Sequence, residues 1–386
     1  MKNPARIDQL PAYIFAEIDR LQEAAIREGR DIISLGVGDP DQPTPDVIVQ
    51  QLQRLAAQAE HHQYPPYAGI RDFRQAVAEW YQARFAVELD PDEEVLALIG
   101  SKEGIAHLSL GWAGPGDVVL VPDPGYPVYR ISAIFAGAES YLLPLRPEND
   151  FLPDFSLVPA EVCQRATLLY LNYPNNPTGA TVDLDFFEEA VAFARRHQLV
   201  LAHDLAYSEV AFDGYRPPSV LQIPGAKDVA IEFNSLSKTY NMTGWRLGMA
   251  VGGRRLLENL RRIKVNVDSS QFGAIQAAGA YALRHVHDPV RQQAALYQER
   301  RDLLVAGLRA CRLSPHVPRA SFYVWTPVPA GYTSMEFAMH MLREIGVVVV
   351  PGIGFGEHGE GYIRFSLTVN DARLREAVER IRRLRW

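Results

Sequence analysis

The first long periodicity in the chain covers residues 13–28, where Tyr13, Ile14, Ile18, Leu21, Ala25 and Ile26 gather near one face of an α-helix. Residues 70–85 predict a second helix. The pattern then changes to short apolar runs of strand length, at 118–121 (VVLV), 167–171 (TLLYL), 199–202 (LVLA), 229–233 (VAIEF) and 247–251 (LGMAV). Runs that are apolar throughout, rather than alternating, belong to strands covered on both faces. Helical patterns at 183–197 and 254–265 lie between some of them. This alternation predicts an α/β layer structure with a mostly parallel sheet.

After about residue 285 the pattern changes character. A long helix over 290–310 precedes a strand at 321–328 (SFYVWTPV), a helix at 334–345, strands at 347–350 (VVVV) and 362–367 (YIRFSL), and a helix at 371–384. That is enough for a compact α+β unit. The expected division is a large domain over 41–284, and a small domain made of 1–40 with 285–386.

Composition narrows the function. Basic residues number 39 against 46 acidic ones, with no basic run, so nucleic acid is a poor fit as a partner. Cys163 and Cys311 are the two cysteines and show no metal or redox spacing, so they read as small buried hydrophobes in a reducing compartment. The N-terminus carries no signal-peptide pattern, and no stretch reaches about 18 uninterrupted apolar residues. The expected location is the cytoplasm.

Chemistry concentrates in a few segments. In FNSLSKTYNMTGWRLG (233–248), Ser235 and Ser237 approach Lys238, and Arg246 follows eight residues later. Two hydroxyls and a guanidinium form a phosphate cradle, because arginine grips phosphate bidentately. A lysine beside it suits a Schiff base with pyridoxal phosphate, although a lone S-x-S-K also describes an exposed loop lysine. In LAHDLAYSEV (201–210), Asp204 closes an apolar strand, at the edge where parallel sheets bind ligands. It reads either as the partner of a pyridine nitrogen or as a helix N-cap. Tyr207 stands three residues on. In LNYPNNPTGA (171–180), Asn176 could offer an amide to a ring oxygen, or the segment could be a plain turn. GSKEGIAHL (100–108) opens a helix whose amides suit an anion. Tyr126 in VPDPGYPVY could stack on a flat ring. Arg364, in an apolar strand, needs a partner, either a substrate carboxylate or a structural ion pair.

In this order and spacing the chain resembles the class I/II aminotransferases, the pyridoxal-phosphate enzymes of fold type I. The markers are NPTG at 176–179, the Asp204-x-x-Tyr207 pair, Ser235-x-Ser237-Lys238, Arg246 and Arg364. The resemblance covers nearly the whole chain. It implies Lys238 as Schiff-base lysine and proton shuttle, and Asp204 at the pyridine nitrogen. Asn176 and Tyr207 would serve the phenolic oxygen. Ser101, Lys102, Ser235, Ser237 and Arg246 would surround the phosphate, with Tyr126 over the ring and Arg364 on the substrate α-carboxylate. Tyr64, in YPPYAG, looks like the tyrosine that reaches the neighbouring subunit's phosphate, which implies a homodimer. Within the class, LPAYIFAEID, LGVGDPDQPTP, GSKEGIAHL and SLSKTYNMTGWR are most similar to the LL-diaminopimelate aminotransferase branch. That branch implies lysine biosynthesis, 2-oxoglutarate as amino acceptor, ping-pong transfer, and Tyr13, Gly38, Lys102, Tyr126 and Asn176 as further substrate contacts. Plant-type members carry a glutamate where Tyr67 stands.

Four rival readings compete with this one. Gly354, Gly356 and Gly359 spell G-x-G-x-x-G, but they run into a strand pattern instead of opening a helix, which speaks against a dinucleotide fold. A carbon–sulfur β-lyase or a general amino acid aminotransferase could use the same cradle. A regulator without turnover would be expected to carry an added DNA-binding segment, for which the chain offers no room.

Overall fold

The structure is a computed structural model that describes residues 5–11 and 14–386. Tyr13 lies outside the described residues. A short strand, β1 (Ile33–Ser34), precedes seven strands of one sheet: β2 (Val95–Leu98), β3 (Val118–Asp123), β4 (Glu139–Pro144), β5 (Ala166–Asn172), β6 (Val200–Asp204), β7 (Ala230–Ser235) and β8 (Gly248–Gly252). Their order is β2-β8-β7-β6-β5-β3-β4. The ladders from β7 through to β4 are parallel, and β8 pairs antiparallel with both neighbours. The apolar runs are strands because helices cover both faces. Leu169 and Leu171 face Phe73, Val77, Phe187 and Val191 on one side. Leu168 and Tyr170 face Ile105, Leu108, Tyr129 and Leu257 on the other. This is the period-two alternation of a pleated strand, apolar in both directions.

Four strands follow: β9 (Tyr323–Pro327), β10 (Val347–Val348), β11 (Val350–Pro351) and β12 (Tyr362–Ser366). β9, β12 and β11 form an antiparallel sheet, while β10 pairs in parallel with β1. The expected single strand at 347–350 is therefore two strands serving two sheets, with Val349 at the junction. The helices Asp288–Ala310, Ser334–Ile345 and Asp371–Arg383 pack around them, burying Leu304, Phe337, Met341 and Leu374. Thr333 and Glu336 close a reciprocal capping box at the start of the second helix, and Gly346 in the left-handed region ends it. Of the G-x-G-x-x-G glycines, Gly354 and Gly359 lie in two 3-10 turns, Gly352–Phe355 and Glu357–Gly359, and Gly356 joins the turns ahead of β12. None of the described helices is long and apolar enough to cross a membrane.

Candidate active site

The parallel strands β5, β6 and β7 end at Asn172, Asp204 and Ser235, so the three residues share the carboxyl edge of the sheet. A cavity of about 410 Å³ opens there. Gly38, Ser101, Lys102, Tyr126, Asn176 and Asp204 line it, and so do Tyr207, Ser235, Ser237, Lys238, Arg246 and Arg364. Residues more than 300 positions apart thus meet in one place. Tyr64 does not line this cavity and is 89% exposed on its own chain.

Ser235 ends β7 and caps the one-turn helix Leu236–Thr239, its hydroxyl accepting from the Ser237 amide at 3.2 Å. That turn aims Lys238 into the cavity, where Nζ donates to the Gly38 carbonyl at 2.7 Å. Burial pulls the Lys238 amine down to about 8; Asp39 opposes this, and the cations Arg246 and Arg364 add to it. Gly38 leaves no space for a side chain, since a Cβ there would stand 1.9 Å from the Tyr323 hydroxyl.

An anion cradle faces Lys238. Gly100 adopts a left-handed φ of 72° and caps the helix Ser101–Trp112. A Cβ on Gly100 would lie 2.2 Å from Arg246 Nη2, so glycine is what lets the guanidinium lie over this helix N-terminus. Arg246 Nη1 donates to the Thr243 carbonyl at 2.8 Å, which fixes its fork. Lys102 stands at the cavity rim with Nζ 5.9 Å from the Tyr126 ring centroid. Burial and the neighbouring Arg246 lower its pKa, the mark of cations crowded where an anion is to sit.

Asp204 is 6% exposed. Its Oδ2 accepts from Tyr129 Oη at 2.8 Å, while Oδ1 is buried without a hydrogen-bond partner among the described residues. Burial pushes its carboxyl up to about 6, against the Tyr129 hydroxyl, the positive field of His203 and the Ala206 amide. Asp204 caps no helix, because a turn follows it, so that alternative falls away. An orphaned buried carboxylate oxygen is costly unless a donor arrives, and a pyridinium N–H is such a donor.

Arg364 is 2% exposed and lies 4.0 Å over the Tyr323 ring. Its Nη1 donates to Asn176 Oδ1 at 2.7 Å and its Nη2 to the Gly36 carbonyl at 2.6 Å. This commits the Asn176 carbonyl oxygen and leaves its NH₂ as the donor for a ligand. Tyr207 donates to the Tyr323 hydroxyl at 3.2 Å. Four contributors escaped the sequence reading: Tyr129, Asn172, Tyr323 and Asp39. Asn172 donates to the Asp204 carbonyl at 2.7 Å and accepts from the Asn176 amide at 2.8 Å, tying strand to turn. Its position as the last residue of an apolar strand was the available signal.

The sequence profile of the family described as aminotransferase class I and II matches residues 30–381. The chain belongs to this family. It is an aminotransferase, in a family whose members depend on pyridoxal phosphate. It is 55% identical over 379 residues to an LL-diaminopimelate aminotransferase of Syntrophobacter fumaroxidans, covering 98% of each chain. A protein of the same name from Moorella thermoacetica is 53% identical over 384 residues, covering 100% of this chain and 98% of the other. Among solved structures, substrate-bound BacF from Bacillus subtilis superposes with a TM-score of 0.95 at 36% identity, covering 100% of this chain and 98% of that one. The α/β fold with its mostly parallel central sheet is the fold these aminotransferases share.

Proposed function

We propose that this aminotransferase carries pyridoxal phosphate on Lys238 and moves an amino group from LL-2,6-diaminopimelate to 2-oxoglutarate. The observation that carries the reading is one cavity holding a lysine amine of lowered pKa, a buried carboxylate oxygen lacking a donor, and a guanidinium over a helix N-terminus. When bound, pyridoxal phosphate supplies an electrophilic carbon and an electron-accepting ring. Asp204 holds the pyridine proton. Asn176 donates to the phenolic oxygen, Tyr207 does so by turning its one proton from Tyr323 to it, and Tyr126 covers the ring face. Ser101, Lys102, Ser235, Ser237 and Arg246 hold the phosphate. Arg364 holds the substrate α-carboxylate. Lys238, its amine readily neutral, takes the proton from the substrate α-carbon and delivers it again. Donor and acceptor each need the Arg364 guanidinium, so one must leave before the other enters, which makes the kinetics ping-pong.

The substrate comes from the relatives' names, which agree at 50–55% identity over full length. The same reading divides the chain into a unit of 41–284, supported by the seven-stranded sheet lying within it, and a second unit of 1–40 with 285–386, supported by the β1–β10 pairing. It places the protein in the cytoplasm as a homodimer whose Tyr64 reaches the partner's phosphate, with Tyr13 and Gly38 toward the substrate. Tyr67, 52% exposed, stands where a carboxylate would meet a distal ammonium in plant-type members; Asp39 is a carboxylate that lines the cavity. The test is glutamate formation from 2-oxoglutarate with LL-diaminopimelate, the meso isomer, lysine, alanine and aspartate, and pyruvate release from cystathionine. Sites built to pair polar groups discriminate by about 10⁴–10⁵, so the LL isomer should dominate. Comparable rates with lysine or alanine would leave a general aminotransferase, and dominant pyruvate release a β-lyase.

A further inference from the structure

His203 and Glu232 are fully buried register partners on β6 and β7, and the roles assigned above leave both unused. His203 Nδ1 lies 2.8 Å from Glu232 Oε2, and Nε2 lies 3.0 Å from the Tyr173 carbonyl. A carbonyl only accepts, so Nε2 carries a proton. Glu232 already accepts three other hydrogen bonds. Oε1 takes one from Tyr81 at 3.0 Å and one from Ser219 at 2.8 Å, and Oε2 takes one from the Val220 amide at 3.0 Å. All three partners donate, so Glu232 serves as an acceptor on both oxygens. It therefore accepts from Nδ1 too, and the imidazole carries a proton on both nitrogens.

His203 immediately precedes Asp204. Successive strand residues point to opposite faces, so the imidazole lies across the strand from the carboxylate, in an interior of low polarity where charges act strongly. Its other bond reaches Tyr173, at the start of the turn that carries Asn176. We propose that His203, held as an imidazolium by Glu232, is a positioning residue for the cofactor: its charge keeps Asp204 ionised for a pyridinium, and its bond to Tyr173 fixes the Asn176 turn relative to Asp204. The proposal rests on the pyridoxal-phosphate reading above. Tyr129 and Tyr207 face Asp204, Tyr81 and Tyr173 face the pair, and Phe187 packs on the imidazole with ring centroids 4.7 Å apart. Burial pushes all four phenols upward, so they stay neutral while Asp204 titrates. The imidazolium pulls the Asp204 carboxyl down against its burial.

Two measurements test this. The first is ¹⁵N NMR of histidine-labelled, cofactor-free protein, with His203 assigned by its absence in His203→Gln. At neutral pH both ring nitrogens should show the shifts of protonated nitrogens, as their two acceptors require. A neutral tautomer at His203 overturns the proposal. The second is pyridoxal phosphate affinity against pH for the wild type, His203→Gln and Glu232→Gln. Without the imidazolium, Asp204 protonates at higher pH, so the pH below which affinity falls should rise by about one unit. Affinities should converge at high pH, and the double variant should show no further shift. An unmoved midpoint, or an affinity lowered equally at every pH, overturns the proposal. Thermal denaturation checks folding of each variant, and if neither folds, the wild-type NMR alone decides. A wild type that binds no pyridoxal phosphate overturns the functional reading and this inference with it. A wild type that binds it, with His203 neutral, overturns this inference alone.

Discussion

Lys238 and Asp204 are perturbed toward neutrality by the same cause, burial at the edge of the sheet, and each awaits a group of opposite character. For Lys238 the sign is clear. Its folded value of about 8 lies below the ordinary 10.5, so the unfolded chain binds the proton more tightly. Stability of the cofactor-free protein should therefore rise with pH between those values. Lys238→Met should abolish that rise and stabilise the cofactor-free protein near pH 7 by on the order of 3 kcal/mol, less what cavity water screens. Denaturant titrations at pH 7 and about 10 measure it, and equal slopes for both proteins would refute it. The same variant should lose turnover by several orders of magnitude. Asp204→Asn should lower pyridoxal phosphate affinity no further than protonation of Asp204 does in the wild type, and at saturating cofactor it should cripple catalysis, because an amide does not hold the pyridine proton. Arg246→Ala should weaken cofactor affinity by about 2–3 kcal/mol, the loss of a charge-assisted pair. If both variants simply shed the cofactor, that division of roles is wrong. These residues were legible because each sits in a short motif at a strand end. Tyr129, Asn172 and Tyr323 were not, since their work is to hold Asp204, Asn176 and Tyr207 through partners the one-dimensional pattern does not show. Arg364 needed a partner on sequence grounds, but that it would be an amide 188 residues away was visible only in three dimensions.

Among elements, β3, β5, β6, β7 and β8 were the readable strands, each within a residue or two of the apolar run that announced it, whereas β2, buried throughout but only four residues long, was missed. β4 was missed because it is the edge of the sheet, and its residues are largely half-exposed and mixed in character. The helix Gly273–His285 was missed because its alanines and glycines pack closely against neighbours without a strong apolar stripe. The valines at 347–350 show the limit of apolar runs. They say that the backbone is covered, yet not which edges it pairs with, and here two residues serve β1 and two-residue β11 serves β12. The segment from β1 to Gly38 is where this matters for function, since it brings the Gly38 carbonyl to Lys238 and the Gly36 carbonyl to Arg364. Gly38→Ala tests that placement. Its methyl would meet the Tyr323 hydroxyl at 1.9 Å and the ring carbon behind it at 2.7 Å, both parts of a packed wall. Overpacking of this kind costs about 1–3 kcal/mol. The expected result is a raised KM for donor and acceptor alike, with Tyr323→Phe restoring part of it. An unchanged KM would mean that the segment moves freely.

At the scale of the molecule, alternation of strands and helices was enough for an α/β architecture, and the motif order was enough for one shared cavity. What the chain pattern did not display is how its first residues return to its last, a pairing of two short strands separated by over 300 positions. Tyr64 is 89% exposed, and Tyr67 and Phe272 are also open. In the proposed homodimer Tyr64 donates to the phosphate held by the partner, so Tyr64→Ala should reduce pyridoxal phosphate affinity by about 1.5–3 kcal/mol, the value of a hydrogen bond to a charged group. A mixing experiment separates this from damage within one chain. Tyr64→Ala keeps its own Lys238 but offers no tyrosine across the interface. Lys238→Ala is inactive but still offers Tyr64. Subunits exchanged between the two variants form a hybrid with one site that has both groups and one that has neither. At limiting pyridoxal phosphate, activity should therefore rise on mixing above the sum of the separate variants. If Tyr64 served its own chain, every site in the hybrid would lack one of the two groups, and mixing would bring no gain.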